Sequence, residues 1–300
     1  MAFIDFFRRD KNGSQSVTLK QANQMLMSGL MRMSALNSER YGTEPSSDRR
    51  LMVSLTTFSK RIDDVYICIE SLLQQTLRPN KLVLWLSREE FSEDDIPVSL
   101  RLQMKRGLEI KFCERDIGPY KKIIPALLEF PDYKIITVDD DVIYPVDLVD
   151  KLYRSYQSDP TVIHAFHAHQ ISLDASGNLL PYKQWQRPTL EIQPSLFTYP
   201  VGIGGVIYFP GCFAEDVTNE ERFLKLAPMA DDIWLKAMSL LIGVKCRKID
   251  DERSWDSRYI MIEGSQKYAL KRKNKLPLEG NDHKLANVFK EYPLKTWLGI

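Results

Sequence analysis

The chain is short of the features that mark secreted, membrane-spanning or nucleic-acid-binding proteins. It has four cysteines in 300 residues, Cys68, Cys113, Cys212 and Cys246, and no Cys-x-x-Cys pair. That spacing excludes a zinc-finger type of site and a disulfide framework, and it suits buried free thiols in a reducing compartment. No apolar run approaches the ~20 residues that cross a bilayer. Charge of one sign is missing as well: 41 Lys and Arg stand against 40 Asp and Glu, a formal net charge of +1. No overall field therefore recruits nucleic acid. Internal repeats and low-complexity tracts are absent. The first ten residues, MAFIDFFRRD, do not have the makeup of a signal peptide. The expected location is cytoplasmic. Phe3, Phe6 and Phe7 beside Arg8 and Arg9 could seat at the inner face of a membrane or pack on the protein body.

What is present is an ordinary globular composition, 44% hydrophobic and 27% charged, in a chain long enough for one large domain with an appendage. Residues 21–36 carry Met25, Leu26, Met27, Leu30, Met31, Met33 and Leu36, which predicts a helix with an apolar face. Residues 38–50 are polar and turn-rich, a linker. From residue 51 apolar runs alternate with helical periods. Strands are expected at 51–56, 81–86, 108–113 and 134–138, with helices at 63–75, 121–130 and 146–157. Pro97 interrupts a weaker helix at 94–106. That alternation argues α/β, a mostly parallel sheet covered on both faces. Residues 162–171 then read as one strand bearing His164, His167 and His169, followed by a hairpin-type turn at 174–178. A glycine-rich turn leads into a strand ending at Pro210, and 231–241 is helical. The tail after residue 250 is charged and lacks a long apolar period. Three units follow: a helical extension and linker at 1–50, a catalytic domain at 51–249, and a tail at 250–300 packed on it.

The chemistry concentrates in Asp139-Asp140-Asp141, directly after the apolar strand at 134–138. Open α/β sheets bind ligands at the carboxyl ends of their strands. Neighbouring carboxylates there repel one another unless a cation or proton neutralises them, and an all-oxygen set suits Mg²⁺ or Mn²⁺. A helix N-cap uses Asp too, but three in a row exceed what a cap needs. A second acidic pair, Asp231-Asp232, opens the helix at 231–241. It is either a cap pair or a base held at a helix N-terminus.

These segments resemble the GT-A glycosyltransferases, and within them the inverting group called family two. Val53-Ser54-Leu55-Thr56-Thr57-Phe58 with Arg61 looks like the first strand and nucleotide loop. Asp139-Asp140-Asp141 looks like the Asp-x-Asp motif, residues 202–210 like the acceptor-side glycine loop, and Ala230-Asp231-Asp232-Ile233-Trp234-Leu235 like the motif that supplies the base. The likeness covers about residues 51–248. It implies a Rossmann-like GT-A domain with a helical N-terminal extension. It also implies a nucleotide-sugar donor, most often a UDP-sugar, and Mn²⁺ or Mg²⁺ held by Asp141 and Asp139, with His283 as an additional late ligand. Asp139 would also face the ribose, and Asp140 would point into structure. Asp232 aligns with the catalytic Asp, and Asp231 stands where Glu is more usual, so either could be the base. Thr57 and Phe58 would pack the nucleobase, Arg61 would reach the pyrophosphate, Asp116 would lie near the uracil and Lys122 near phosphate or sugar. Ser87 occupies a place where many relatives have Asp. The implied acceptor is a hydroxyl of a glycan or lipid-linked glycan, in surface polysaccharide assembly.

Other readings stay open on the residues alone. A nucleotidyltransferase also holds metal on Asp beside a parallel sheet, but it would carry a glycine-rich loop after the first strand, and residues 56–61 contain no glycine. A degenerate module that only binds glycan is a third possibility. His167 and His169 share a strand face by period two and, with the Asp cluster, could form a phosphoesterase site. Trp185 and Trp234 could stack on sugar or sit in the core.

Overall fold

A computed structural model describes residues 18–263 and 280–298. The aromatic and basic residues at positions 3–9, and the ends of the expected N-terminal and C-terminal units, lie outside the described residues. In chain order the elements are α1 (Leu19–Asn37), β1 (Leu51–Thr56), α2 (Val65–Leu73), β2 (Lys81–Ser87), α3 (Val98–Met104), β3 (Leu108–Cys113), α4 (Ile124–Glu129), β4 (Lys134–Thr137), β5 (Val142–Ile143), α5 (Leu148–Ser158), β6 (Ile163–Ala165), β7 (Ala168–Gln170), β8 (Thr198–Pro200), β9 (Val206–Tyr208), α6 (Glu220–Leu226), α7 (Asp231–Leu240), β10 (Cys246–Lys248), α8 (Trp255–Arg258), β11 (Ile260–Met261), α9 (Asn281–Glu291) and α10 (Leu294–Leu298).

Seven strands form one sheet in the order β10-β6-β9-β4-β1-β2-β3. Pairing is parallel throughout β4-β1-β2-β3 and between β10 and β6, while β9 runs antiparallel to both of its neighbours. This is the expected mixed α/β class with a mostly parallel sheet flanked by helices. The near-continuous apolar strands follow from burial on both faces. On β1, Leu51, Val53 and Leu55 face one core and Met52 the other. On β2, Leu82, Leu84 and Leu86 share the first core, and Val83 and Trp85 the second. Each aliphatic side chain so enclosed contributes about 1.5–3 kcal/mol.

The topology also fixes where a site can form. Because β9 is antiparallel to β4, with Thr137 opposite Val206, the residues that precede β9 lie beside those that follow β4. The glycine loop and the acidic triplet are brought together by register alone.

Two expectations change. Residues 162–171 are not one strand: β6 belongs to the main sheet and β7 pairs with β8 in a separate two-stranded sheet. The chain leaves the main sheet where the Val201 N–H donates to the His167 carbonyl (2.9 Å) and Gly204 packs against His167. The tail is more structured than its charge suggests. β11 pairs with β5, and Leu285, Val288, Tyr292, Leu294 and Leu298 on α9, α10 and the turn between them are buried. Their spacing gives each short helix an inner face without a long period.

Candidate active site

The carboxylates after β4 do not act as a helix cap, because β5 rather than a helix follows them. They divide between two cations. Asp140 and Asp141 turn inward: Asp140 accepts from the Thr57 hydroxyl (2.6 Å) and the Arg61 guanidinium, and Asp141 lies 3.2 Å from the same guanidinium. All three charged side chains are about nine-tenths buried. Burial pushes the Asp140 carboxyl up, against Arg61 and Thr57, which favour its charged form. Burial likewise disfavours the Arg61 cation, yet Asp140 and Asp141 hold its pKa above the usual value. Arg61 and Thr57, expected at the pyrophosphate and nucleobase, are thus directed to the acidic triplet. Phe58 lies against the guanidinium, 5.5 Å from its centre.

Asp139 turns the other way and is the most open of the three, 31% exposed. Its Oδ1 lies 2.9 Å from Lys122 Nζ, and the same ammonium lies 2.9 Å from Asp231 Oδ2. Lys122 is held in place by its own main chain: its carbonyl accepts from Ser54 Oγ (2.6 Å), and Ser54 accepts from Trp85 Nε1 (3.0 Å). Burial disfavours its charge, but Asp139, Asp231 and Asp232 together raise its pKa well above the lysine value. One ammonium therefore serves both the end of β4 and the start of α7, elements far apart in sequence.

Asp231 and Asp232 lie in the first turn of α7 without capping it, since no side chain bonds the helix start. Both oxygens of Asp232 accept instead from the Gly202 N–H, at 3.1 and 3.3 Å. Burial and the neighbouring charge of Asp231 push the Asp232 carboxyl up to about 8, with Lys122 opposing. Gly202 sits close against all three: a Cβ there would stand 3.1 Å from Asp232 Oδ1, 3.1 Å from Lys122 Nζ and 3.7 Å from Asp139 Oδ1. The three expected chemical segments thus meet around one glycine α-carbon.

Tyr144 was not anticipated. Its hydroxyl accepts from the Asp139 N–H (2.9 Å) and donates to the Ile203 carbonyl (3.1 Å), tying the acidic turn to the glycine loop. The available signal was an aromatic hydroxyl three residues behind the triplet. Asp116 is exposed in the loop after β3; it accepts from the Gly118 N–H (3.0 Å) and pairs with Lys121. Ser87 is buried, and its hydroxyl accepts from the Glu89 N–H (3.1 Å). Trp185 and Trp234 are core residues, 3% and 0% exposed, with their indole N–H groups on main-chain carbonyls. The His167 and His169 rings are 5.1 Å apart, and burial pulls both down to about 4, so they are neutral at physiological pH.

Among the described residues no three His, Cys, Asp or Glu side chains come together to hold a metal ion. The expected set of Asp139, Asp141 and His283 does not converge, nor does a phosphoesterase set of His167, His169 and the triplet. His283 is exposed in the first turn of α9, and Asp141 faces Arg61. Asp139 remains as a hard oxygen donor that is partly exposed. One or two carboxylates suffice for Mg²⁺ or Mn²⁺ when substrate phosphates and water complete the shell, and of the triplet Asp139 is the member exposed enough to offer an oxygen.

No protein-family model matches the chain, and no curated protein matches it. Among solved structures it is similar to the mannosyltransferase PcManGT from Pyrobaculum calidifontis in complex with GDP-Man and Mn²⁺. The identity is 14% and the TM-score 0.48, over 93% of this chain and 78% of that one. It is also similar to residues 1–349 of S. aureus TarS, at 14% identity and TM-score 0.47, over 80% and 70%. A third likeness is to GalNAc-T7 with UDP, GalNAc and Mn²⁺, at 13% identity and TM-score 0.42, over 71% and 43%. Scores below 0.5 leave the strand order and the side chains to carry the argument. No helix among the described residues is long and apolar enough to cross a membrane.

Proposed function

We propose that the protein is a GT-A-type glycosyltransferase that moves a sugar from a nucleotide-sugar donor, a UDP-sugar in the first instance, to a hydroxyl of a glycan or lipid-linked glycan with inversion. The observation that carries this reading is the meeting of Asp139, Lys122 and Asp232 around Gly202. A transfer of this kind needs two opposed functions within one cleft. The leaving diphosphate gains negative charge, which a cation must stabilise. The attacking hydroxyl must lose its proton to a base on the other side.

In this scheme Lys122 offers its ammonium to the leaving diphosphate, and Asp139 would hold Mn²⁺ or Mg²⁺. When bound, that ion acts as a Lewis acid on the leaving group. The acceptor oxygen forms its bond to the anomeric carbon as the carbon–phosphate oxygen bond breaks, and its proton passes to the Asp232 carboxylate. A carboxyl raised to about 8 suits a base working near neutral pH. Asp231 is occupied by Lys122 and positions it, which leaves Asp232 as the base. Surface polysaccharide assembly is the process this donor and acceptor pairing suits.

The test is a panel of nucleotide sugars and free nucleoside diphosphates, read by thermal shift and by donor hydrolysis with Mn²⁺, with Mg²⁺ and with EDTA. One nucleotide diphosphate series should raise Tm by several degrees, through preferential binding to the folded state, and EDTA should weaken that effect. Absence of stabilisation by every donor would remove the reading.

A further inference from the structure

Helix α1 has two apolar faces, and the fold covers one. On the inner face Met31 and Ala35 are buried, Ser34 donates to Glu70 (2.7 Å), and the Gln24 amide reaches the Met261 carbonyl (2.5 Å). These contacts fix the helix to α2 and β11. On the outer face Leu19, Met25, Leu26, Leu30, Met33 and Leu36 are 72, 63, 61, 48, 67 and 54% exposed. Leu19, Ala22, Leu26, Gly29, Met33 and Leu36 recur at alternating steps of three and four residues, which is the seam of a helix that packs on another helix. A Cβ at Gly29 would meet nothing within 4 Å, so a second backbone can approach closely there.

We propose that this outer face of α1 docks on the same face of a second copy of the chain, forming a two-fold dimer. Two observations choose this occupant. The first is area. Six side chains exposing about 100 Å² each present roughly 600 Å² of apolar surface per copy, close to the ~800 Å² per partner of a standard interface. It is also at the top of what a monomer leaves in contact with water. The second is charge. Lys20 and Arg32 are the only charged residues of α1, and both are paired within the chain, to Asp256 at 2.6 Å and to Asp64 at 3.2 Å. The helix therefore offers no unpaired cation to an anionic lipid surface and sets no uncompensated like charges against a second α1. A self-complementary seam of this kind closes on itself as a symmetric pair. The opposite face of α1 packs on α2, α3 and β11, so the dimer would form without disturbing the contacts that hold the helix to its own chain.

The experiment measures the mass of the full chain by light scattering from about 1 to 100 µM, a range that brackets micromolar association. The wild-type mass should rise to that of a dimer. Leu26→Glu with Met33→Glu should hold the chain at monomer mass, whereas Leu128→Glu, equally exposed at 67% on α4, should leave the dimer intact. Gly29→Cys should form an inter-chain disulfide when oxidised with diamide, because the two copies of that position would face each other. A wild-type monomer at every concentration overturns the proposal, and so does a dimer that survives the double substitution. A wild-type chain that stays monomeric but floats with phosphatidylglycerol vesicles overturns it in favour of a lipid surface. Should the double variant fail to fold, Leu26→Gln and the wild-type concentration series still decide.

Discussion

Two acidic clusters flank the end of β4, and they differ in how their charge is balanced. Arg61 faces Asp140 and Asp141 in a setting about nine-tenths buried, with Thr57 completing the bonds. Lys122 is shared between Asp139 and Asp231, with Asp232 also acting on it, and here Asp139 stays 31% exposed. Both cations are buried, Arg61 at 9% exposure and Lys122 at 6%, so the difference lies in the carboxylates: Asp140 and Asp141 are about nine-tenths buried and Asp139 is not. The second cluster sets one cation against three carboxylates, of which Asp139 is partly exposed. Similar residues at adjacent positions of one turn therefore do different work. Carboxylates outnumber the cation in both clusters, and the larger excess lies where Asp139 is exposed.

The largest expected effect falls on the second cluster. Asp232→Asn keeps the shape and, through its one amide oxygen, one of the two contacts from the Gly202 N–H, but removes the base. Turnover should fall by about 10³-fold or more, while nucleotide-induced stabilisation persists. Titration gives this variant a second readout. The Asp232 carboxyl is raised in the folded chain to about 8, above its unfolded value of about 3.9. It therefore favours folding at low pH, and that contribution is lost as pH rises through about 8. The Asn variant lacks the penalty, so its apoprotein should melt about 2–4 °C above wild type at pH 8.5 and show little difference at pH 4.5. An inactive variant with no such crossover would separate catalysis from the charge imbalance.

Next in size is a direct contrast between the two cations. Arg61→Met leaves Asp140 and Asp141 buried without their partner, a loss of about 3–5 kcal/mol, or about 10 °C in Tm. Lys122→Met should cost less stability, because water reaches Asp139 and only Asp231 is left buried without that cation, and should cost most of the donor affinity and turnover. Calorimetry and steady-state kinetics on the pair decide it. If Lys122→Met melts as low as Arg61→Met yet keeps its turnover, the distinction between the two clusters fails.

A smaller effect is the pH profile. With Asp232 as the base, kcat/KM should climb about tenfold per pH unit below its pKa and level off above about 8. A profile flat from pH 6 to 9 would move the base elsewhere.

How far the site was legible in sequence follows from the same two clusters. Residue types and strand ends could be read: β1 begins and ends where its apolar run does, because a strand buried on both faces leaves a continuous signal, and β3, at the sheet edge, shows the alternation of a half-buried strand. The partners could not. Arg61 and Asp140 are 79 residues apart and Lys122 and Asp139 are 17 apart, and only the parallel register of β1 with β4 and the antiparallel return of β9 decide which meet. That is why Arg61 was expected at a phosphate and is found on a carboxylate. It is also why Asp141 was expected on a metal and lies against Arg61. The split of residues 162–171 into β6 and β7 has the same origin, since the alternating pattern of His164, His167 and His169 cannot show that a glycine packs against the middle of the run.

Gly202 gives the finest test. Its α-carbon carries no positive-φ strain, so alanine is tolerated by the backbone, and the added methyl meets only the ends of flexible side chains, Asp232 Oδ1 and Lys122 Nζ at 3.1 Å each. Those ends can yield by a few tenths of an ångström without disturbing the core. Gly202→Ala should therefore change Tm by no more than about 2 °C while lowering kcat about tenfold, because displacing a base from a near-attack position costs rate steeply. Gly205→Ala should do the reverse. Its φ is +87°, and its Cβ would press on Leu148 Cδ1 at 3.2 Å, so it should lose about 1–2 kcal/mol of stability to backbone strain and retain most of its turnover. Equal losses of stability in the two variants would mean that the glycine loop is only a turn. Opposite losses would locate the reacting atoms beside Gly202, in the cluster with the larger excess of carboxylates.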